Sequence, residues 1–205
     1  MKIKLIESNE IPTNLKINPK ATQDEIDSVW GGRLIEKMVI VNNDGTMDYK
    51  GVIILNRMKL TTIPFYFSET GEFSVSENNL TSLEGCPKIV NSCFSCKENK
   101  LKTLKHSPIK VNGYFDCSYN VLTSLMGGTK IVDRGSYYCN DNKLTSLEGS
   151  PDIIHNSLWI HRNLLYNLKG IPSKIMSGIS CYDNLIKFTE KYIMSVCDFK
   201  GSIDN

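Results

Sequence analysis

The chain has 205 residues, is 40% apolar, and carries 24 basic against 22 acidic side chains, for a formal net charge of +2. That length can bury a core in one or two domains, and the near balance of charge excludes a global pull on nucleic acid or anionic lipid. No stretch approaches the roughly 18 apolar residues that cross a bilayer. The opening MKIKLIESNEIPTNLK also lacks the unbroken apolar run of an export signal. Seven cysteines cannot pair completely, and in a chain without an export signal they are expected as reduced, buried thiols of a cytoplasmic protein.

Residues 1–48 read as an N-terminal capping region. Thr22 to Glu25, TQDE, is a capping box that starts a helix near Gln23. Ile26, Val29, Trp30, Leu34, Ile35 and Met38 follow at helical spacing, and Gly31 and Gly32 invite a break between them. Trp30 is assigned to the core and not to binding. VIV from Val39 and NNDG from Asn42 read as a strand and a hairpin turn.

From 49 to 186 the chain repeats. Val75, Cys96, Cys117, Cys139, Ile160 and Cys181 are separated by 21, 21, 22, 21 and 21 residues. Three positions after each stands an asparagine: Asn78, Asn99, Asn120, Asn142, Asn163 and Asn184. Two further on come Leu80, Leu101, Leu122, Leu144, Leu165 and Ile186, and a second leucine column runs from Leu83 to Leu168. Two positions before the cysteine column lie Phe73, Phe94, Phe115, Tyr137, Leu158 and Ile179. A degenerate copy upstream has Ile53, Leu55, Leu60 and Ile63, which gives about six to seven repeats in all.

Each copy predicts the same geometry. Phe115 and Cys117 alternate around Asp116 with the period of a short strand, aromatic and thiol inward. Stacked copies form a parallel sheet in which each column becomes a ladder. Cysteine suits its column because it is small and usually buried. The asparagine amide is expected to bond backbone donors and acceptors stranded under the turn. Leu122 and Leu125 fill the interior, and Pro87, Pro108, Pro151 and Pro172 fix φ on the returning limb. Residues 187–205, with Phe188, Tyr192, Ile193 and Val196 at helical spacing and Gly201 as a stop, read as a C-terminal capping helix.

The pattern apolar-x-Cys-x-x-Asn-x-Leu-x-x-Leu resembles the leucine-rich repeat consensus. Its 21-residue period and the LEGCP and LEGSP segments are similar to the short bacterial type. DGTMDYKGVIILNRMKLTTIP followed by NNLTSLEGCP is similar to small leucine-rich repeat proteins carried by bacteriophages. The resemblance implies a curved solenoid with short parallel strands on a concave face, irregular or 3₁₀ convex segments, and helical or hairpin caps. It also implies action in the cytoplasm of an infected bacterium, with a host or phage protein as partner, a host defence protein among the expected targets.

The residues themselves place the candidate surface. Positions flanking each cysteine alternate outward, and in the later repeats they gather aromatic and charged groups. The expected partner-binding residues are Tyr114, Asp116, Tyr119, Tyr138, Asn140, Asp141, Trp159, His161, Arg162, Tyr182 and Asp183. Tyr, Trp and Arg dominate interface energetics because they are large, stiff and able to hydrogen-bond. The competing explanation is cross-strand aromatic packing that only stabilises the sheet.

Other chemistries leave weaker traces. CFSC, Cys93 to Cys96, has the spacing of a metal knuckle, but no second pair exists and Cys96 falls in the inward column. His106, His155 and His161 occupy different repeat positions, and His106 is expected on the solvated returning limb. Asp116, Asp141 and Asp183 could approach one another as paired acids, yet a polar binding rim explains them more simply. No phosphate loop or nucleophile elbow is present, so no catalytic, cofactor or metal site is expected. Lys88, Lys110, Lys130 and Lys174 recur near the proline column as a basic row that would serve nucleic acid, a reading disfavoured by the acids on the opposite face. Self-association through the solenoid ends is the remaining alternative to a dedicated partner, with a monomer favoured.

Overall fold

The computed structural model describes residues 10–34 and 39–205. The first elements are α1 (Gln23–Val29), a π-helical turn (Trp30–Leu34), β1 (Ile40–Val41), β2 (Met47–Ile54) and β3 (Phe67–Ser74). Short strands then alternate: β4 (Ile89–Val90) and β5 (Phe94–Ser95), β6 (Lys110–Val111) and β7 (Phe115–Asp116), β8 (Ile131–Val132) and β9 (Tyr137–Tyr138). β10 (Ile153–Ile154), β11 (Leu158–Trp159), β12 (Lys174–Ile175) and β13 (Gly178–Ser180) continue the alternation, and α2 (Glu190–Val196), β14 (Asp198–Phe199) and β15 (Ser202–Asp204) end it.

The result is a parallel β-solenoid, as the repeat requires. A front ladder runs β2, β3, β5, β7, β9, β11, β13 and β15, and a return ladder runs β4, β6, β8, β10, β12 and β14. β3 belongs to both, pairing Glu69 and Thr70 with β4 and Phe73 and Ser74 with β5. Gly71 sits between those two halves, where a Cβ would collide with the carbonyl of Lys50. The returning limb therefore carries two-residue strands where irregular or 3₁₀ segments were expected, and no 3₁₀ helix occurs among the described residues. Its inward residues Val90, Val111, Val132, Ile154 and Ile175 are buried, so they close the core from behind.

The inward columns stack as predicted. Val75, Cys96, Cys117, Cys139, Ile160 and Cys181 are all buried. Phe73, Phe94, Phe115 and Tyr137 form an internal aromatic stack, with successive centroids 6.2, 5.2 and 5.1 Å apart. Each asparagine bonds two turns at once. Asn120 Nδ2 donates to the carbonyls of Cys96 at 3.1 Å, Cys117 at 3.2 Å and Ser118 at 3.2 Å.

Two further columns complete the turn. The residue before each asparagine is left-handed, with φ of 56° at Glu77, 52° at Glu98, 54° at Tyr119, 53° at Asp141, 51° at Arg162 and 52° at Asp183. This sharp corner explains why the front strands are so short, and each L-residue there costs on the order of 1–2 kcal/mol. Later in the turn Ser82, Thr103, Ser124, Ser146 and Asn167 each accept the amide two residues on, which bends the chain into the returning limb.

At the N-terminal end the capping box is present, and α1 gives way to π geometry at Trp30, just before Gly31 and Gly32. Trp30 is buried against Phe65 with centroids 5.8 Å apart. Ile35 and Met38 lie outside the described residues. Glu25 ties the helix to the solenoid: Oε2 accepts the Thr22 amide, while Oε1 accepts the Thr61 amide, the Thr61 hydroxyl and the Thr62 amide. β1 pairs antiparallel with β2, as the hairpin signal predicts.

The C-terminal segment differs from a simple capping helix. α2 covers only Glu190–Val196, with Thr189 as its N-cap, and Phe188 is buried just before it. The chain then makes another turn, β14 pairing with β12 and β15 with β13. Gly201 is no helix stop. It passes so close to Ser177 that a Cβ would sit 1.3 Å from that carbonyl oxygen, so only glycine lets the last turn seat. Among the described residues no helix is long and apolar enough to cross a membrane.

Candidate functional site

Parallel register converts sequence positions into rows across the front ladder. The row one residue before the cysteine column reads Ser74, Ser95, Asp116, Tyr138, Trp159, Ser180 and Asp204. Tyr138 and Trp159 are therefore neighbours flanked by polar groups. Their rings stack at 5.7 Å with an interplanar angle of 27°.

The contacts continue in both directions. Tyr114 meets Tyr138 edge-on at 6.0 Å, and Trp159 meets His161 edge-on at 5.8 Å. His161 stacks on Tyr182 at 4.4 Å, nearly parallel at 7°. The Arg162 guanidinium lies 5.6 Å from the centre of the Tyr182 ring, with its nitrogens 3.5 Å from Asp141 and 3.6 Å from Asp183. The structure thus brings eight of the eleven expected residues, all but Asp116, Tyr119 and Asn140, into one chain of ring and ionic contacts. Asp116 faces Tyr138 in the register, and Asn140 donates to Asp141 Oδ2 at 2.8 Å. Tyr119 stands apart under the Lys97 ammonium, 5.0 Å from its ring centre.

Exposure is less uniform than alternation implies. Tyr114, Tyr119, Arg162 and Asp183 are exposed, while Asp116, Tyr138, Asp141, Trp159 and Tyr182 are half-buried. Asn140 and His161 are only 7% and 5% exposed and form the floor of the surface. The correction has a simple cause: strands about 4.8 Å apart leave flanking rings to close over a smaller neighbour, as Trp159 and Tyr182 do over His161.

The floor is hydrogen-bonded. Ser180 Oγ donates to Asp204 Oδ2 at 3.1 Å and so accepts from His161 Nδ1 at 3.0 Å, which assigns the Nδ1–H tautomer. Nε2 lies 3.7 Å from Asp141 Oδ2. Burial lowers the His161 pKa below its ordinary value, against the opposing pull of Asp141. Because the Ser180 proton points to Asp204, the pair has the wrong direction for a nucleophile and its base. Asp116 accepts from the Ser118 amide and hydroxyl through Oδ1, and burial raises its pKa despite those bonds.

Sequence reasoning missed Asp204 as a member of this surface. Asp204 was hidden because 187–205 read as helix. The signal was the match of Gly178-Ile179-Ser180 to Ser202-Ile203-Asp204, which pair residue by residue.

The competing motifs separate. Cys96 is buried with its thiol directed to the Asp116 carbonyl at 3.5 Å, whereas Cys93 is half-buried outside that column. The lysine row is not one column. Lys110 and Lys174 share the outward strand position with Ile89, Ile131 and Ile153, while Lys88 and Lys130 precede the strands. Lys110 and Lys174 also face Asp133 at 4.0 Å and Asp198 at 3.9 Å, so the basic stripe is interrupted by isoleucines and acids. His106 is exposed. Comparison with protein-family models, with curated proteins and with solved structures finds no match.

Proposed function

We propose that this chain is a non-catalytic recognition protein that captures a protein partner on its front ladder, between β7 and β13. One observation carries the reading: ring contacts run without interruption from Tyr114 through Tyr138, Trp159 and His161 to Tyr182. Such a strip offers wide, stiff, amphipathic contact area at low entropic cost. The rigid ladder beneath pre-organises it, which lowers the ordering cost of binding. Resemblance to small phage leucine-rich repeat proteins extends the proposal to a host protein, including a defence enzyme, that the bound solenoid blocks or redirects. That extension rests on analogy of fold and repeat pattern.

Selection of a displayed random-peptide library, together with affinity capture from bacterial lysate, tests the reading. Wild type and the Tyr138→Ala/Trp159→Ala variant are compared, with thermal unfolding as the control for folding. Partners should be retained by the wild type and lost by the variant. Retention by both reduces the strip to sheet packing.

A second reading, self-association through the end, is favoured by one feature. Among the described residues β14 and β15 pair on one side only, and Leu185 and Ile186 in the last full repeat are 61% and 45% exposed. Mass in solution that grows with concentration would support it.

A further inference from the structure

The chemistry of the occupant follows from charge. On the front-face positions between β3 and β15, seven acids (Glu72, Glu77, Glu98, Asp116, Asp141, Asp183, Asp204) face two bases (Lys97, Arg162). The chain as a whole is positive by two, so this surface is polarised against its own protein. Four of the acids are already balanced: Glu77 by Arg57 at 2.6 Å, Glu98 by Lys97 at 3.4 Å, and Asp141 and Asp183 by Arg162. Glu72, Asp116 and Asp204 have no basic group within ion-pair distance among the described residues.

Asp116 and Asp204 bracket the aromatic pair in one row, which reads Asp116, Tyr138, Trp159, Ser180, Asp204. Each carboxylate spends one oxygen on a serine, Oδ1 of Asp116 on Ser118 and Oδ2 of Asp204 on Ser180. The face also holds two of the chain's own cations in the manner expected of a ligand: Lys97 over Tyr119, and Arg162 over Tyr182 between two aspartates.

We propose that the occupant is an extended, basic segment of a partner protein, with one cationic side chain at Asp116, another at Asp204, and the residues between them on Tyr138 and Trp159. The proposal deepens the recognition reading and rests on it. The spacing follows from the ladder. Asp116 and Asp204 are four strand steps apart, about 19 Å at roughly 4.8 Å per step, which an extended chain rising about 3.3 Å per residue covers in about six residues. The segment should therefore carry Lys or Arg at i and i+6 with neutral residues between. A nucleic-acid strand would stack on the same rings, but its phosphates would meet three uncompensated carboxylates.

Direct binding of fluorescent synthetic decapeptides to the full chain tests this. The set comprises lysines at i and i+6, lysines at i and i+2, glutamates at i and i+6, and an uncharged peptide; a single-stranded oligonucleotide is the fifth ligand. The i, i+6 lysine peptide should bind most tightly and weaken with salt. Asp116→Asn and Asp204→Asn should each weaken it by about three-fold or more, with unfolding midpoints near wild type, and Tyr138→Ala/Trp159→Ala should abolish it. Equal binding of the uncharged peptide, dependent on Tyr138 and Trp159 but not on the aspartates, overturns the charge assignment and leaves recognition by the strip standing. Preference for the oligonucleotide, or for glutamates, overturns it outright. Failure of every peptide also overturns it, while the library selection separately decides whether the strip recognises protein.

Discussion

Asn120 Oδ1 accepts the backbone amide of Leu101, one turn earlier, at 3.0 Å. The same relation recurs between Asn99 and Leu80, Asn142 and Leu122, and Asn163 and Leu144. Each Nδ2 meanwhile reaches back to the inward carbonyl of the preceding turn, so the column staples every turn to its neighbour. The Cys96 carbonyl keeps a second donor in Asn99, but the Leu101 amide depends on Asn120. Asn120→Ala should therefore cost about 1–3 kcal/mol, the range for a buried backbone donor left unpaired. Leu122→Ala, which empties a fully buried site, should cost about 2–5 kcal/mol. Chemical denaturation measures both, and near-zero values would remove the burial scheme.

Tyr137 continues the internal stack of Phe73, Phe94 and Phe115, but its buried hydroxyl has no hydrogen-bond partner among the described residues. Burial also raises its pKa well above the ordinary value, so the phenol stays neutral. Replacing it with the residue that the three preceding turns use should help. Tyr137→Phe should stabilise the fold by about 1 kcal/mol through removal of an unpaired polar group. A lower unfolding midpoint would contradict this.

Glu25 joins α1 to the first turns. Desolvation pushes its pKa up, but hydrogen bonds from Thr22, Thr61 and Thr62 outweigh that and hold it below the ordinary value. The unfolded chain then takes up a proton first as pH falls. The stabilisation is complete above the unfolded pKa of about 4.3 and is lost as pH drops through the folded pKa. Glu25→Gln should thus be less stable than wild type at neutral pH, with the gap closing in acid. Urea unfolding across that range checks the sign; a gap that widens in acid would refute it.

The core thiols should be chemically silent. Burial raises the pKa of Cys96, Cys117 and Cys139, and pushes that of Cys181 up to about 11. Alkylation depends on the thiolate and on access, so iodoacetamide should label half-buried Cys93 first. Labelling of the other six cysteines should require unfolding. Peptide mass mapping distinguishes the two states, and early labelling of Cys117 would show that its column opens to solvent.

Glu98 sits in the left-handed corner column with φ of 52°. Glycine adopts that region without strain but loses more chain entropy on folding. Glu98→Gly should therefore fall within about 1 kcal/mol of wild type, on the stabilising side. A loss well beyond that in thermal unfolding would mean that the corner residues are held by their side chains.

Periodicity made the solenoid legible before any coordinates. Cysteine, asparagine and leucine recur because each turn must solve the same problem of burying a thiol-sized group, pairing stranded backbone and filling the interior. Alternation around Cys117 likewise placed Phe115 inside and Asp116 on the front. Three features were not legible. The returning strands involve only two residues each, too few for a pattern such as Ile131–Val132 to stand out from an irregular limb. The C-terminal turn was masked by the helical spacing of Phe188, Tyr192 and Val196, so Asp204 was not placed beside Ser180. The burial of Asn140 and His161 depends on which rings lie one strand away, and no local alternation encodes that. Position within a repeat is a one-chain property set by backbone geometry, whereas exposure, ring contacts and charge balance arise from residues some twenty positions apart. Only the register of the stacked turns brings those residues together, and it decided that an acid-flanked aromatic row lies on one face.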